Sequence, residues 1–178
     1  MKELSLHILD IVQNSVKAKA DKIDIIINEN IKDNLLEITI SDNGCGMSED
    51  FLKTVKDPFS TTRTTRKVGM GISLFEAAAI QSGGHLDIKS KLGQGTTLYV
   101  CFMHNSIDRA PIGNMIDTMI TIILSAPEIQ YVYKHCKNEK EFVFDTDVIK
   151  QSLGDIPITT PEILEWITGY MQEGLASL

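Results

Sequence analysis

The chain has 178 residues, 43% of them hydrophobic and 23% charged, which is typical of one globular domain with or without a small appendage. Its net charge of −7 argues against sequence-independent nucleic-acid binding, because such binding needs a basic surface. The cysteines Cys45, Cys101 and Cys136 form no C-x-x-C pair and indicate reduced thiols. We therefore expect a soluble cytoplasmic protein without a signal peptide or a membrane-spanning segment.

Apolar residues recur at helical spacing near the N-terminus and predict an amphipathic helix over residues 3–20. On a neighbouring stripe, Asp10, Asn14 and Lys17 follow each other at spacings of four and three residues, so they lie on one side of the helix. An amide oxygen with a carboxylate nearby suits Mg²⁺, which prefers a few protein oxygens together with phosphate and water. Lys17 can reach a phosphate as a point charge, and a solvated helix lysine is the alternative.

Residues 23–28 and 35–40 are β-branched runs around a polar turn, and they predict a hairpin. The sequence Asp42-Asn43-Gly44 follows the second strand and by itself favours another hairpin turn. Ser48 is a good helix N-cap, however, so we expect the chain to pass from strand to helix through this glycine-containing loop.

Asp42 is the residue of this loop with the most specific chemistry. It either caps the loop or accepts a hydrogen bond from the exocyclic amine of adenine, where guanine has a carbonyl. Gly44 and Gly46 leave room for a flat base and Met47 can pack against it.

Residues 57–68 are rich in threonine and basic residues, and we expect a mobile loop. Arg63, Arg66 and Lys67 are either solvated or placed to neutralise the β- and γ-phosphates of a nucleotide.

Gly69 and Gly71 open a helix that is predicted over residues 72–82. The backbone N–H groups at its start, together with the helix dipole, form an anion site. There is no G-x-x-x-x-G-K-[ST] sequence, so a P-loop is excluded.

The rest of the chain alternates between strand and helix patterns. Strands are predicted over residues 85–90, 96–103, 129–135 and 141–145, and helices over 114–125, from 146 or 147, and from 160 to 174. A change of composition at residues 104–113 predicts a division into residues 1–103 and a separate small α+β unit, residues 104–178, without a recognisable chemical motif.

Four segments, residues 10–17, 42–47, 69–74 and 93–97, together resemble the nucleotide site of the Bergerat-fold ATPases. This is the GHKL superfamily of gyrase, heat-shock chaperones, histidine kinases and mismatch-repair ATPases. The resemblance covers residues 1–103 and implies an α+β fold, a two-layer α/β sandwich with a mixed, mostly antiparallel sheet that binds ATP between helices and lid. It implies that Asn14 is the Mg²⁺ ligand and that Asp42 is the adenine acceptor in a first glycine box, which also contains Gly44, Gly46 and Met47. A second glycine box contains Gly69, Met70 and Gly71. Thr96, after Gly95, belongs to the box that closes the adenine pocket. The resemblance also implies that Phe59, Thr62, Arg63 and Lys67 lie in the lid and that Lys17 lies at the phosphate end.

The resemblance divides between two branches of the superfamily. The lid sequence Pro58-Phe59-Ser60-Thr61-Thr62-Arg63 resembles histidine kinases and anti-sigma protein kinases, whereas the pair Asn14-Ser15 resembles mismatch-repair ATPases. Hydrolysing and serine-kinase branches place a glutamate four residues before the asparagine as general base, and here Asp10 holds that position with a side chain one methylene shorter.

Two functions follow from the resemblance. The first is a stand-alone kinase or ATPase, in which Asp10 is the catalytic base and the γ-phosphoryl group of ATP passes to a histidine or serine of a partner protein, or to water. The second is an anti-sigma-like signalling module that does not hydrolyse ATP, in which ATP orders the lid and a partner protein recognises that order. A homodimer is compatible with either function.

Overall fold

The computed structural model of the protein describes residues 2–56 and 70–178. Its helices and strands in chain order are α1 (Leu4–Lys17), β1 (Lys22–Asn30), β2 (Leu35–Asp42), α2 (Glu49–Lys56), α3 (Met70–Gln81), β3 (His85–Lys91), β4 (Gly95–Met103), α4 (Met115–Ser125), β5 (Gln130–Lys137), β6 (Lys140–Asp145), α5 (Thr146–Leu153) and α6 (Pro161–Ala176). The elements predicted from hydrophobic periodicity are present with small shifts of their ends. The largest shift is in α1, which ends at Lys17 because Lys19 has a φ of 59° in the left-handed region. The loop predicted over residues 57–68 lies outside the described residues.

The strands form one sheet in the order β3-β4-β2-β1-β5-β6. Its neighbouring strands are antiparallel except for β1 and β5, which are parallel. The chain therefore crosses from β4 to the far side of β1 through α4, as a parallel pair requires a crossover connection. The predicted mixed, mostly antiparallel sheet is confirmed.

One face of the sheet carries the hydrophobic core. Alternate residues of the central strands are buried there, as strand geometry dictates: Ile23, Ile25 and Ile27 in β1, and Leu36, Ile38 and Ile40 in β2. Helix α1 packs its apolar stripe of Leu4, Ile8, Ile11 and Val12 into the same core. On the other face side chains such as Ile26 are exposed, so the fold is the predicted two-layer sandwich.

Residues 104–178 add two strands to this sheet rather than forming a layer of their own. In the parallel pair, Ile23 lies opposite Tyr131 and Ile25 lies opposite Tyr133, and all four side chains are buried in the same core. The composition predicts a structurally separate C-terminal unit, because composition carries no information on which strands pair. Whether the two parts on either side of residue 103 have different functions remains a prediction.

A partly buried polar cluster joins the two parts of the chain at the far end of β1. The carboxylate of Glu29 accepts hydrogen bonds from Nε2 of His135 at 2.8 Å and from Nε2 of His104 at 2.9 Å. The Tyr133 hydroxyl lies 2.8 Å from Nδ1 of His135 and holds the imidazole in place. The hydrogen bond from His135, with a smaller contribution from His104, lowers the pKa of the Glu29 carboxyl to about 2 against the cost of burial.

None of the helices among the described residues is long and apolar enough to cross a membrane.

Candidate functional site

A cavity of about 460 Å³ opens where α1 passes over the end of β2, and this volume is in the range of small-molecule binding sites. Its described lining consists of Ile11, Asn14, Ser15, Lys17, Ala18, Ile40, Asp42, Cys45, Gly46, Met47, Phe51, Ile72, Ile88, Thr96 and Leu98. Most of this wall is apolar. Its polar groups are Asp42 at the end of β2, with Ser15 and Thr96 next to it, and Asn14 and Lys17 on α1. An apolar slot with a few fixed polar groups suits a flat, partly polar ligand.

Asp42 is the most strongly positioned polar group of the cavity. Ser15 donates a hydrogen bond of 2.6 Å from Oγ to Oδ2 of Asp42, and the Gly44 N–H donates one of 2.9 Å to Oδ1. A carboxylate oxygen has two lone pairs, so each oxygen retains the capacity to accept one further hydrogen bond. The cavity therefore contains a pre-oriented acceptor.

The glycines of the loop after β2 allow the chain to approach itself closely. A Cβ atom on Gly44 would lie 2.8 Å from the carbonyl oxygen of Ala18, and one on Gly46 would lie 2.0 Å from that of Lys91. Gly46 also has a φ of 65°, which L-residues rarely adopt. From the sequence we expect Gly44 and Gly46 to be glycines because they leave room for a ligand. In the structure, a side chain at either position would instead meet protein atoms, although Gly46 also lines the cavity.

The turn between β3 and β4 braces this loop through Ser90. Oγ of Ser90 accepts from the Met47 N–H at 2.8 Å, donates to the Gly95 carbonyl at 3.0 Å and lies 2.8 Å from Oγ1 of Thr96. The Gly93 N–H donates to the carbonyl of Cys45 at 2.8 Å. These bonds hold Met47 and Thr96 on the wall of the cavity, and Thr96 is also the β4 partner of Asp42 in the sheet register.

Asp10 lies outside the cavity and beside the first turn of α3. A Cβ atom on Gly71 would be 3.2 Å from Cβ and 3.4 Å from Oδ2 of Asp10, so glycine at this position lets the two helices approach. The carboxylate of Asp10 is thus next to the helix start that the sequence predicts as an anion site. Asn14 is one turn further along α1, and its side-chain amide makes no hydrogen bond to any residue within 2–56 or 70–178.

The structure therefore brings most of the predicted residues that it describes to one place. Asn14, Lys17, Asp42, Gly46, Met47 and Thr96 line the cavity, and Gly44 and Gly71 are next to residues of the site. The predictions on Phe59, Thr62, Arg63, Arg66, Lys67, Gly69 and the side chain of Met70 lie outside the described residues.

Sequence reasoning missed Ser15, Ser90 and the apolar wall. Ser15 lies on the buried side of α1 and is only 4% exposed. The available signal was a hydroxyl on the buried side of an amphipathic helix, which needs a hydrogen-bond partner. Ser90 gave no such signal because it is an ordinary residue near a strand end.

The family model for "Histidine kinase-, DNA gyrase B-, and HSP90-like ATPase" matches residues 2–106. A putative sensor protein of Shewanella frigidimarina is 32% identical over 56% of this chain and 16% of its own length. The histidine protein kinase DivJ of Caulobacter vibrioides is 32% identical over 52% of this chain and 16% of its own length, and the sensor protein SrrB of Staphylococcus aureus is 38% identical over 45% and 14%. The chain thus matches about a sixth of the length of these relatives.

Two solved structures share the fold over a longer stretch. The N-terminal domain of a DNA repair protein superposes with a TM-score of 0.53 and 16% identity, covering 80% of this chain and 52% of that one. The MutL ATPase domain of Aquifex aeolicus, in complex with ADP, superposes with a TM-score of 0.50 and 15% identity, covering 80% and 64%. Because the family model stops at residue 106, the shared fold includes part of the C-terminal segment.

Proposed function

The chain belongs to the family of histidine kinase-, DNA gyrase B- and HSP90-like ATPases, and from this membership we propose that it binds ATP with Mg²⁺ in the cavity beside Asp42. We propose further that it transfers the γ-phosphoryl group to a histidine or serine of a partner protein, or to water. The names of its relatives, which are sensor proteins and a histidine protein kinase, support a role in signal transduction.

The observation that carries the nucleotide assignment is the fixed carboxylate of Asp42 in an apolar slot. Because Ser15 and Gly44 already donate hydrogen bonds to Asp42, its carboxylate accepts a further hydrogen bond from the amine of adenine without a change of orientation. The carbonyl that guanine has at that position would face the same carboxylate, so the site selects adenine. The apolar lining from Ile40, Ile88 and Leu98 suits the faces of a purine.

The residues near the phosphate end are compatible with Mg²⁺. The described residues contain no group of three or more His, Cys, Asp or Glu side chains that would hold a metal alone. Mg²⁺ does not need one, because it is commonly bound by one or two protein oxygens together with phosphates and water. Asn14 would supply that oxygen, and the ion would neutralise charge on the β- and γ-phosphates.

The position of Asp10 supports phosphoryl transfer as the reaction. Asp10 lies one helical turn from Asn14, and a Cβ atom built on Gly71 at the start of α3 would be 3.4 Å from its Oδ2. A base at this position would accept the proton of the attacking water or hydroxyl group as the new bond to the γ-phosphorus forms and the bond to the bridging β-phosphate oxygen breaks, with ADP as the leaving group. When the acceptor is a neutral imidazole, its nitrogen is itself the nucleophile, and the reaction does not need Asp10 as a base.

The test is calorimetry of ATP binding with and without Mg²⁺, on the wild type and on Asp42→Ala, followed by a turnover assay on the same samples. We expect wild-type binding that Asp42→Ala weakens by roughly tenfold to hundredfold, as for a lost hydrogen bond to a charged group. GTP is the matched control ligand, and we expect it to bind poorly to both proteins. Equal affinity of ATP for the two proteins would overturn the adenine assignment.

A second candidate function is the ATP-gated module without turnover, and one set of contacts favours it. Asn43, next to Asp42, accepts hydrogen bonds through Oδ1 from the N–H groups of Asp21 and Lys22 at 2.8 and 3.0 Å. The Asp21 carbonyl in turn accepts from the N–H of Gln130, the first residue of β5, at 2.9 Å. The adenine loop is thus connected to the C-terminal segment by a short path. ATP binding that alters proteolysis of residues 57–68 without any phosphate release would favour this function over the first.

A further inference from the structure

A second apolar groove lies far along the chain from the nucleotide-site residues, between β6, α5 and α6, with a volume of about 590 Å³. Its walls include large hydrophobic side chains that are exposed to solvent: Trp166 is 54% exposed, Val148 61% and Val143 43%. The indole of Trp166 stacks on the ring of Tyr170, with ring centroids 5.3 Å apart and planes at 10°. Exposed, ordered aromatic groups of this kind are typical of binding surfaces.

The groove is at the open edge of the sheet. Strand β6 is the last in the order β3-β4-β2-β1-β5-β6, so it pairs only with β5. Tyr170 is held from below by Phe142 and Phe144 of β6, at centroid distances of 5.6 and 6.5 Å. The aromatic wall is therefore preformed and does not require a partner in order to assemble.

The chain around the groove is predominantly acidic, although Glu141 is paired with Lys134 at 2.6 Å. Residues 141–178 contain seven acidic residues and one lysine, and so account for six of the seven excess negative charges of the chain. The acidic residues are Glu141, Asp145, Asp147, Asp155, Glu162, Glu165 and Glu173. The lysine, Lys150, lies 3.6 Å from Asp147 and donates to the Ile129 carbonyl, so it is already engaged.

Two of these carboxylates flank the aromatic pair directly on α6. Glu162 precedes Trp166 by four residues and Glu173 follows Tyr170 by three, so all four side chains share one stripe of the helix. Neither Glu162 nor Glu173 forms an ion pair with any residue in the described part of the chain. The groove thus has an apolar, aromatic floor and an acidic rim with free charge.

We propose that this groove docks a basic, amphipathic segment of a partner protein, with apolar side chains against Trp166 and Tyr170 and Lys or Arg side chains over the acidic rim. The charge argues against the other occupants. A second copy would bring the same acidic rim against itself, and an anionic lipid surface would be repelled. The proposal concerns the C-terminal segment alone and does not depend on ATP binding.

The test uses Trp166 as its own probe, since it is the one tryptophan of the chain. The ligand is a synthetic peptide of leucine and lysine, with leucines at i, i+3, i+4 and i+7, titrated into the full-length protein without nucleotide. We expect a blue shift of the Trp166 emission that saturates, because the peptide buries the indole. A scrambled peptide of the same composition and a leucine–glutamate peptide are the matched controls, and we expect neither to saturate.

Variants separate the groove from the general acidity of the surface. Val148→Lys places a cation on the groove wall, and we expect it to weaken binding by about tenfold or more. Ile80→Lys is the matched control, because Ile80 is 63% exposed on α3 outside the groove, and we expect unchanged binding. We expect Glu162→Gln to lower the affinity for the peptide and to make that affinity less dependent on salt concentration. Glu139→Gln, in the exposed β5–β6 turn, should change neither quantity.

Three results would overturn the proposal. The first is no saturable shift with the leucine–lysine peptide, and the second is equal loss of binding in Val148→Lys and Ile80→Lys. The third is sedimentation of the wild type as a dimer that Val148→Lys dissociates, which would assign the groove to a second copy of the chain.

Discussion

Ser15 and Asp42 are 27 residues apart in the chain and are joined by a hydrogen bond of 2.6 Å between Oγ and Oδ2. The hydroxyl comes from the buried side of α1 and the carboxylate from the end of β2, so the bond fixes the helix to the strand at the site. Ser15 is only 4% exposed, so its side chain is held in place by the packing of α1. The orientation of the proposed adenine acceptor is therefore set by a residue that contributes only a hydroxyl group.

Removing this hydroxyl should loosen Asp42 and weaken nucleotide binding. We expect Ser15→Ala to raise the Kd for ATP by about tenfold, which corresponds to a hydrogen bond to a charged group. The control is Ser41→Ala, next to Asp42 on the same strand, whose Oγ lies 3.1 Å from Oγ1 of Thr97. Calorimetry that finds the same Kd in Ser15→Ala and wild type would contradict the positioning role.

Asp10 should affect turnover rather than affinity. If it is the base, Asp10→Asn keeps the shape and removes the proton acceptor, and we expect the rate of phosphate release or partner phosphorylation to fall by roughly a hundredfold or more. The Kd for ATP should change little, because Asp10 does not line the cavity among its described residues. Wild-type turnover by Asp10→Asn would exclude a base role for this residue.

Gly46 should contribute to the stability of the fold through its backbone conformation and its close packing. Gly46→Ala must accommodate a φ of 65° and a Cβ atom 2.0 Å from the Lys91 carbonyl oxygen, so we expect a loss of roughly 3 kcal/mol in the free energy of unfolding. Gly93→Ala is a matched control with a φ of 73° and no atom within 4 Å of the new Cβ, so it should lose about 1 kcal/mol. Urea denaturation measures both, and equal losses would show that the contact with Lys91 relaxes freely.

The Glu29 cluster should make the fold sensitive to acid. Its folded pKa of about 2 is below the ordinary value of 4.5, so the stabilisation is present above pH 4.5 and is lost as the pH falls from there towards 2. We expect the free energy of unfolding to drop by about 3 kcal/mol over this window through Glu29 alone. Glu29→Gln should remove that part of the slope, whereas Glu139→Gln should retain it. A wild-type slope in Glu29→Gln would mean that other groups dominate acid unfolding.

Two glycines of α6 should respond to alanine in opposite directions. A Cβ atom on Gly174 would be 2.1 Å from Cε2 of Phe142, so Gly174→Ala should push α6 from β6 and lower the melting temperature. Gly169 has no atom within 4 Å of the new Cβ, and Gly169→Ala should stabilise the helix by about 0.5–1 kcal/mol. Thermal unfolding followed by circular dichroism checks the signs, and a stabilised Gly174→Ala would contradict the packing of α6 on Phe142.

The sequence by itself determined the local features of this protein. Helical spacing placed Asp10, Asn14 and Lys17 on one side of α1, and β-branched runs predicted β1 and β2, because these patterns reflect contacts within a few residues. The motifs around Asp42 and Gly71 identified the family, since they were read as a set in a fixed order.

Only the tertiary structure decided the features that depend on distant pairing. The parallel pairing of β1 with β5, the bond between Ser15 and Asp42 and the contact of Gly46 with Lys91 each join segments that no local pattern connects. For the same reason, composition predicted a separate C-terminal unit where backbone hydrogen bonds make one sheet. Periodicity tells which face of an element is buried, whereas the choice of its neighbour depends on the packing of the whole core.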